Sequence, residues 1–539
     1  MSGYLQFRSW ARTGSPAEKK LASAALVIVV GLTAWALVPT GGPAGNSVST
    51  GLAGGTAAAG AGPGVAGAQA SSTGAAVGSG PSGAVTGTGG PSGGGAVLGG
   101  TSVGGGGAFG PAGSSDAPIL GPTGTPAASC GKLTNSDTGV TPTEIKVADI
   151  LLNLAGAIGN SAVGQASPQI QRQMAQAVVD DINAHGGVAC RKLVVSFYEA
   201  NPIDPTSTQN VCLQIAQAGV FAVIGGFAYP ASANDCLAQQ KIPLIANVAP
   251  TPSEAKQYYP YLMSAAPDPT TDFANAIFGM KTRGFFTAAQ GFQKIAILED
   301  DCSPEVNKAL YNDLIQSGVP SRQIVKNDFS CPSSGFASPN DMSQFATQDN
   351  LAHITNVVVA TGGGSFKEFS NAAKGQGYKP KYLVSNYDGF LVTATGDTGP
   401  DPGNFDGTIV TTDTRFGENN TPGLTDPATQ ACIALFARHG LPSSYITGSY
   451  IGGNNCTLFL LFAAAAGHDQ GLTRAGLAGG LGQVGRFAMV FPSQDSIYKA
   501  PGTTTPVKVT GGDYWWTIQF SAACTCWKVI DPTLHPSVQ

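Results

Sequence analysis

From residue 144 onward, apolar runs too short for a helix alternate with stretches of helical periodicity, and this alternation constrains the fold more than any other feature of the chain. "EIKVADILL" (144–152) has strand length. "SPQIQRQMAQAVVDDINAHGG" (167–187) then puts Ile170, Met174, Ala177, Val178 and Ile182 on one helical face, with Gly186-Gly187 just past its end. "KLVVSFYEA", "PTSTQNVCLQIAQAG", "VFAVIGG", "SANDCLAQQ" and "IPLIANVAP" continue strand, helix, strand, short helix, strand up to Pro250. Strands joined by helices at this spacing form a parallel sheet with helices on both faces.

The alternation then begins again. "TTDFANAIFGMKTRGF" and "KIAILED" read as helix and strand, and "PEVNKALYNDLIQSG" and "QIVKNDF" repeat the pair. "NVVVATGGG", "SFKEFSNAAKGQG" and "KYLVSN" follow as strand, helix and strand. Two α/β units of similar size predict two similar lobes rather than one oversized sheet. Further on, "DPATQACIALFARHG" and "NCTLFLLFAAAAG" predict helices, and "DYWWTIQFSAACTCWKVI" a hairpin.

The chain ahead of these units is different. Residues 41–128 hold 30 glycines and one charge, Asp116. They lack the large apolar side chains that offset the entropy of ordering, so residues 39–129 are expected to form a disordered tether. Before it, Leu21–Val38 is an apolar run of eighteen residues, flanked by Arg8, Arg12, Lys19 and Lys20. That pattern predicts a transmembrane anchor with residues 1–20 in the cytoplasm. The rival is a signal peptide cut after Ala34-Trp35-Ala36. Either reading exports the remainder: a cell-membrane protein with its folded part extracytoplasmic, or a secreted one.

All ten cysteines fall in the exported part, which points to disulfides. Metal ligation would need close Cys or His clusters, and only Cys524-Thr525-Cys526 is close. The exported part is acidic by seven charges and has no basic stripe, which argues against nucleic acid. No His-Glu-x-x-His helix is present and no Gly-x-Ser-x-Gly elbow precedes a helix, so no enzyme chemistry, cofactor or metal is expected. A Gly-x-Gly-x-x-Gly at Gly105, Gly107 and Gly110 lies in the tether without a strand or helix to give it meaning.

The order and spacing of "IKVADILLNLAGAIG", "AVVDDINAHGGVACRKLVVSFYEANP", "GVFAVIGG", "IPLIANVAPT", "KIAILEDD" and "YIGGNNCTLFLLFAAAAGHDQGLTRAGLAGGL" resemble the type I periplasmic binding proteins of the leucine/isoleucine/valine-binding branch. That resemblance implies two α/β lobes joined by three crossovers, a small solute enclosed between them, and delivery to the permease of an ABC importer. With it, lobe 1 is expected over 130–268 and 412–505, and lobe 2 over 269–411 and 506–539.

Ligands of such sheets bind beyond the carboxyl ends of the strands. The expected ligand-binding residues are therefore Phe227, Ala228 and Tyr229, Val248, Ala249 and Thr251, Ser365, and Tyr387 and Asp388. Amino-acid-binding members of the family hold the ligand carboxylate with a hydroxyl in the first of these loops and a threonine in the second. Here Tyr229 and Pro250 stand at those places, and Pro304 stands where a tyrosine is usual. The departures favour an amide or another organic compound at least as much as a branched-chain amino acid. A ligand-sensing receptor that acts through a partner protein is the alternative on the same fold. Positions in this fold also suggest four disulfides: Cys130–Cys190, Cys212–Cys236, Cys302–Cys331 and Cys432–Cys456. Cys524 and Cys526 are left as a tight loop or free thiols.

Overall fold

Strand β1 (Glu144–Leu152) opens the first sheet in the computed structural model, which describes residues 130–154, 160, 166–202, 204–226, 234–331, 337–361, 363–386, 399–424, 426–447, 450–499 and 508–538. β1 pairs in parallel with β2 (Lys192–Ala200) on one side and β3 (Ala222–Gly225) on the other. β4 (Leu244–Ala246) and β5 (Leu262–Ser264) extend the sheet, giving the order β2-β1-β3-β4-β5. The connecting helices are α1 (Pro168–Ala184), α2 (Pro205–Gln217), α3 (Asp235–Gln239) and α4 (Pro252–Gln257). Alternation along β1 divides its side chains between two cores. Ile145 and Val147 pack with Met174, Val178 and Ile182 of α1, and Ala148 and Ile150 with Val211 and Ile215 of α2.

The return from α1 to β2 shows how sequence sets the local path. Ser167 caps α1 by accepting from Ile170 N, and Pro168 occupies the first turn, where no amide partner is needed. Gly186 and Gly187 then take φ of +103° and +73°. A Cβ on Gly187 would lie 2.1 Å from the carbonyl oxygen of Arg191, so glycine is required twice over, by conformation and by space. Val188 and Arg191 exchange backbone hydrogen bonds across the corner, and Cys190 is joined to Cys130. Arg191 lies at the start of β2. It is buried, and its guanidinium donates to the carbonyls of Thr134, Ala189 and Thr141 at 2.7 to 3.1 Å, which fixes the segment leading into β1.

After α5 (Pro269–Thr282), the second sheet is built from β6 (Ile295–Asp300), α6 (Pro304–Gln316), β7 (Ile324–Phe329), α7 (Pro339–Leu351), β8 (Asn356–Ala360), α8 (Gly363–Gly375) and β9 (Lys381–Val384). Its parallel order is β7-β6-β8-β9. Helix α9 (Pro402–Phe405) leads to β10 (Ile409–Thr412).

The chain then returns to the first lobe as α10 (Pro427–Arg438), α11 (Ser444–Thr447), α12 (Tyr450–His468) and α13 (Leu477–Val484). Phe436, Phe459, Phe462 and Leu481 join the core that holds Val147 and Met174. A short ladder, β11 (Arg486–Phe487) with β12 (Ser496–Ile497), precedes the last crossing. β13 (Tyr514–Ser521) and β14 (Cys526–Pro536) then form an antiparallel sheet with β10. Trp516, Ile518, Phe520 and Trp527 of that sheet bury against Val357, Phe366 and Phe369 of the second lobe.

Three strands of chain thus run between the lobes, and hydrogen bonds bundle them. Ser493 Oγ donates to Ala265 O at 2.7 Å, Gln494 N to Asp413 O at 2.6 Å, and Gly511 N to Ala266 O at 2.9 Å. All ten cysteines are paired: Cys130–Cys190, Cys212–Cys236, Cys302–Cys331, Cys432–Cys456 and Cys524–Cys526. The N-terminal run Leu21–Val38 and the tether lie outside the described residues. Among the described residues no helix is long and apolar enough to cross a membrane. Apolar α12 is short of that, and it packs against α1, α13 and β3 inside the first lobe.

Candidate ligand cleft

In each sheet the first strand, β1 or β6, has its successors on opposite sides, so the loops that leave its carboxyl end diverge and open a crevice. On the first lobe, the loop after β1 is held by two buried amides. Gln171 bonds both the amide and the carbonyl of Leu152, and Asn160 bonds Leu152 O and Leu154 N at 2.7 to 2.9 Å. β3 ends in Gly225 and Gly226, both at positive φ. A Cβ on Gly226 would come within 2.7 Å of Asn234 Oδ1, so the loop can pass close to the sheet only as glycine. Phe227, Ala228 and Tyr229, which follow, lie outside the described residues.

β4 leads through Asn247, Val248, Ala249 and Pro250 into Thr251. Val248 is half-buried and Ala249 buried. Thr251 forms a capping box with Glu254: its Oγ1 accepts from Glu254 N at 3.3 Å, and its own amide donates to Glu254 Oε2 at 2.8 Å. Its hydroxyl also lies 3.2 Å from Ser253 Oγ. The threonine therefore anchors the start of α4, and its backbone amide is occupied.

On the second lobe, Asp300 closes β6. One carboxylate oxygen accepts from Cys302 N at 3.1 Å and the other from Thr361 Oγ1 at 3.2 Å. Burial raises its pKa above the ordinary carboxylate range. Ser365, in the first turn of α8, is wholly buried, and its Oγ accepts from Ala337 N at 2.8 Å, tying α8 to the entry of α7. Tyr387 and Asp388 lie outside the described residues. Beside this wall, Glu299, Asp301, Tyr311, Lys326 and Asp328 line a recess of about 370 Å³ under α6. Glu299 bonds Lys326 at 2.7 Å, and burial pushes its carboxyl up to about 7.

The two walls meet where the first turns of α4 and α6 approach: Ser253 Oγ donates to the Glu305 carboxylate. The approach leaves two groups that the sequence reading did not single out. The Oδ1 atoms of Asn247, just past β4, and Asn386, just past β9, are buried acceptors with no hydrogen-bond partner among the described residues. A buried acceptor left unpaired costs about 1–3 kcal/mol, so two beyond the carboxyl ends of strands are candidates for pairing with a ligand donor. Both fall inside runs read as strands, "IPLIANVAP" and "KYLVSN", and no local signal sets them apart. Among the described residues no group of three or more His, Cys, Asp or Glu could hold a metal ion.

Two parallel-sheet lobes, three bundled crossovers and a cleft at the carboxyl ends of both sheets are the architecture of a two-lobed solute-binding protein. The chain belongs to the periplasmic binding protein family, whose model matches residues 156–508. No curated relative matches the sequence. Among solved structures, the branched-chain amino acid binding protein LivJ of Streptococcus pneumoniae, in complex with isoleucine, is 15% identical; the match covers 72% of this chain and 100% of that one at a TM-score of 0.52. A leucine-binding protein LivK of Thermotoga maritima is 13% identical, over 73% and 99%, at 0.53. A solute-binding protein of an ABC transporter from R. palustris, in complex with 4-hydroxybenzoate, is 13% identical over 73% and 97%, also at 0.53. The likeness to these structures is one of fold.

Proposed function

We propose that this solute-binding protein is tethered to the membrane by Leu21–Val38 and the segment that follows, and presents a small organic ligand to an ABC permease outside the cytoplasm. The ligand is uncharged or zwitterionic and carries N–H or O–H donors: an amino acid, an amide or a related compound. The observation that carries this reading is the pair of unpaired acceptors on Asn247 and Asn386 at the ends of β4 and β9. From the first lobe the proposed ligand contacts are Phe227, Ala228 and Tyr229, with Val248, Ala249 and Thr251. From the second lobe the proposed contacts are Ser365, Tyr387 and Asp388. Lobe closure is the working step: polar groups fix orientation while apolar walls exclude water. The test is isothermal titration of the purified full chain with amino acids, their amides and hydroxylated aromatic acids. One class should bind at 1:1 and raise the melting temperature. Absence of binding across all three classes would overturn the reading.

A further inference from the structure

The bridge between Cys524 and Cys526 differs in kind from the other four. It spans a single residue, Thr525, in the turn that joins β13 to β14. The stabilisation a disulfide draws from restricting the unfolded chain grows with the length of the loop it closes, so this one contributes least. The others close loops of 24 to 60 residues, and two of them, Cys212–Cys236 and Cys432–Cys456, have at least one sulfur-bearing residue fully buried. Cys130 and Cys331 are also at the surface, but each ties distant segments to a half-buried partner.

The hairpin does not need the bridge either. Ser521 pairs with Cys526 and Phe520 with Trp527 in the ladder, while Trp527 and Phe520 are buried against Phe405. What the bridge adds is local: it holds Thr525 at φ +48°, a conformation threonine rarely adopts, at an exposed tip where Cys524 faces solvent. Opening it would release that residue and leave the core of the second lobe intact.

From this geometry we propose that Cys524–Cys526 is a thiol–disulfide exchange site, opened and closed in the folded protein by an external dithiol. A thiolate of the dithiol attacks Cys524 Sγ, the S–S bond breaks, and Cys526 leaves as a thiolate and takes up a proton. The second thiol of the reagent attacks the mixed disulfide and releases Cys524. The protein bridge gains two electrons and two protons, and the dithiol becomes its own disulfide.

The experiment equilibrates the native full chain in graded mixtures of reduced and oxidised dithiothreitol, quenches with acid, alkylates, and maps the labelled peptides. Two thiols, both at positions 524 and 526, should appear at least tenfold lower in reductant than any other pair, with an unchanged circular dichroism spectrum. Opening of another bridge first, or loss of this one only together with unfolding, overturns the proposal. Two variants guard the result. Cys524→Ser/Cys526→Ser should melt within about 2 °C of the parent, and a drop of more than about 5 °C would make the bridge a structural staple instead. Cys526→Ser, leaving Cys524 free, should trap a mixed disulfide with glutathione; failure to do so at an exposed thiol would equally contradict exchange.

Discussion

At the scale of single residues, the cleft and the hinge store unsatisfied polar groups in different ways. Asn386 places a buried amide oxygen where no described residue meets it. Replacing it with leucine removes the orphan, so Asn386→Leu should match or exceed the parent in melting temperature while binding ligand about tenfold more weakly, roughly 1.4 kcal/mol. Titration calorimetry paired with thermal unfolding would show the two effects moving in opposite directions. Asp413 is a harder case. It stands at the second crossover, fully buried, with no partner for either carboxylate oxygen among the described residues. Burial, then the nearby Asp272 and Asp268, hold its pKa well above the ordinary range. A carboxyl whose folded pKa is raised binds its proton more tightly in the native state. Its contribution is complete below pH about 4 and is lost as pH rises toward the folded value, by about 1.4 kcal/mol for each unit. Asp413→Asn should therefore be indistinguishable from the parent near pH 4 and increasingly more stable than it toward pH 8, as read from denaturant midpoints across that range. Neither role was legible in the sequence. Asn386 and Asp413 look like ordinary loop residues until the neighbouring strands and the crossover bury them.

At the scale of elements, periodicity and punctuation carried most of the information. The α1 pattern and its Gly-Gly stop predicted the helix and its return because each signal has a local cause, and Ser167 and Pro168 add the cap at its start. Gly187→Ala tests that corner: with a Cβ 2.1 Å from Arg191 O and a φ of +73°, the variant should lose on the order of 2 kcal/mol or more in urea unfolding. Helix α7 was missed because its buried face is made of Met342, Ala346 and Asp349, too few apolar residues to show a period. Strands β5 and β10, of three and four residues, are too short to mark themselves and are defined by their neighbours. Thr251, expected to contact the ligand, also closes a capping box with its hydroxyl and amide, a signature visible as Thr-x-x-Glu at 251–254. Thr251→Val should cost about 1 kcal/mol of stability through the lost cap.

At the scale of the whole molecule, the chain's order explains its mechanics. Each lobe is closed by chain that has already visited the other: α10 to α13 complete the core begun by β1, and β13 with β14 complete the core begun by β6. The lobes are therefore joined by three short spans with bonds among them, a connection that permits bending and resists separation. The alternation of strands and helices made two lobes legible, but which late helices return to the first lobe depends on long-range packing that no local pattern encodes. The cleft between the lobes is the working part. The most direct test attaches donor and acceptor fluorophores to exposed sites on the two lobes, at Leu213 and Leu351, and measures energy transfer in the full chain as ligand is added. The account predicts that the bound protein shifts to a single, higher-transfer population at the same ligand concentration that saturates the calorimetric titration. Ligand binding at full occupancy with no change in transfer would contradict enclosure by lobe closure.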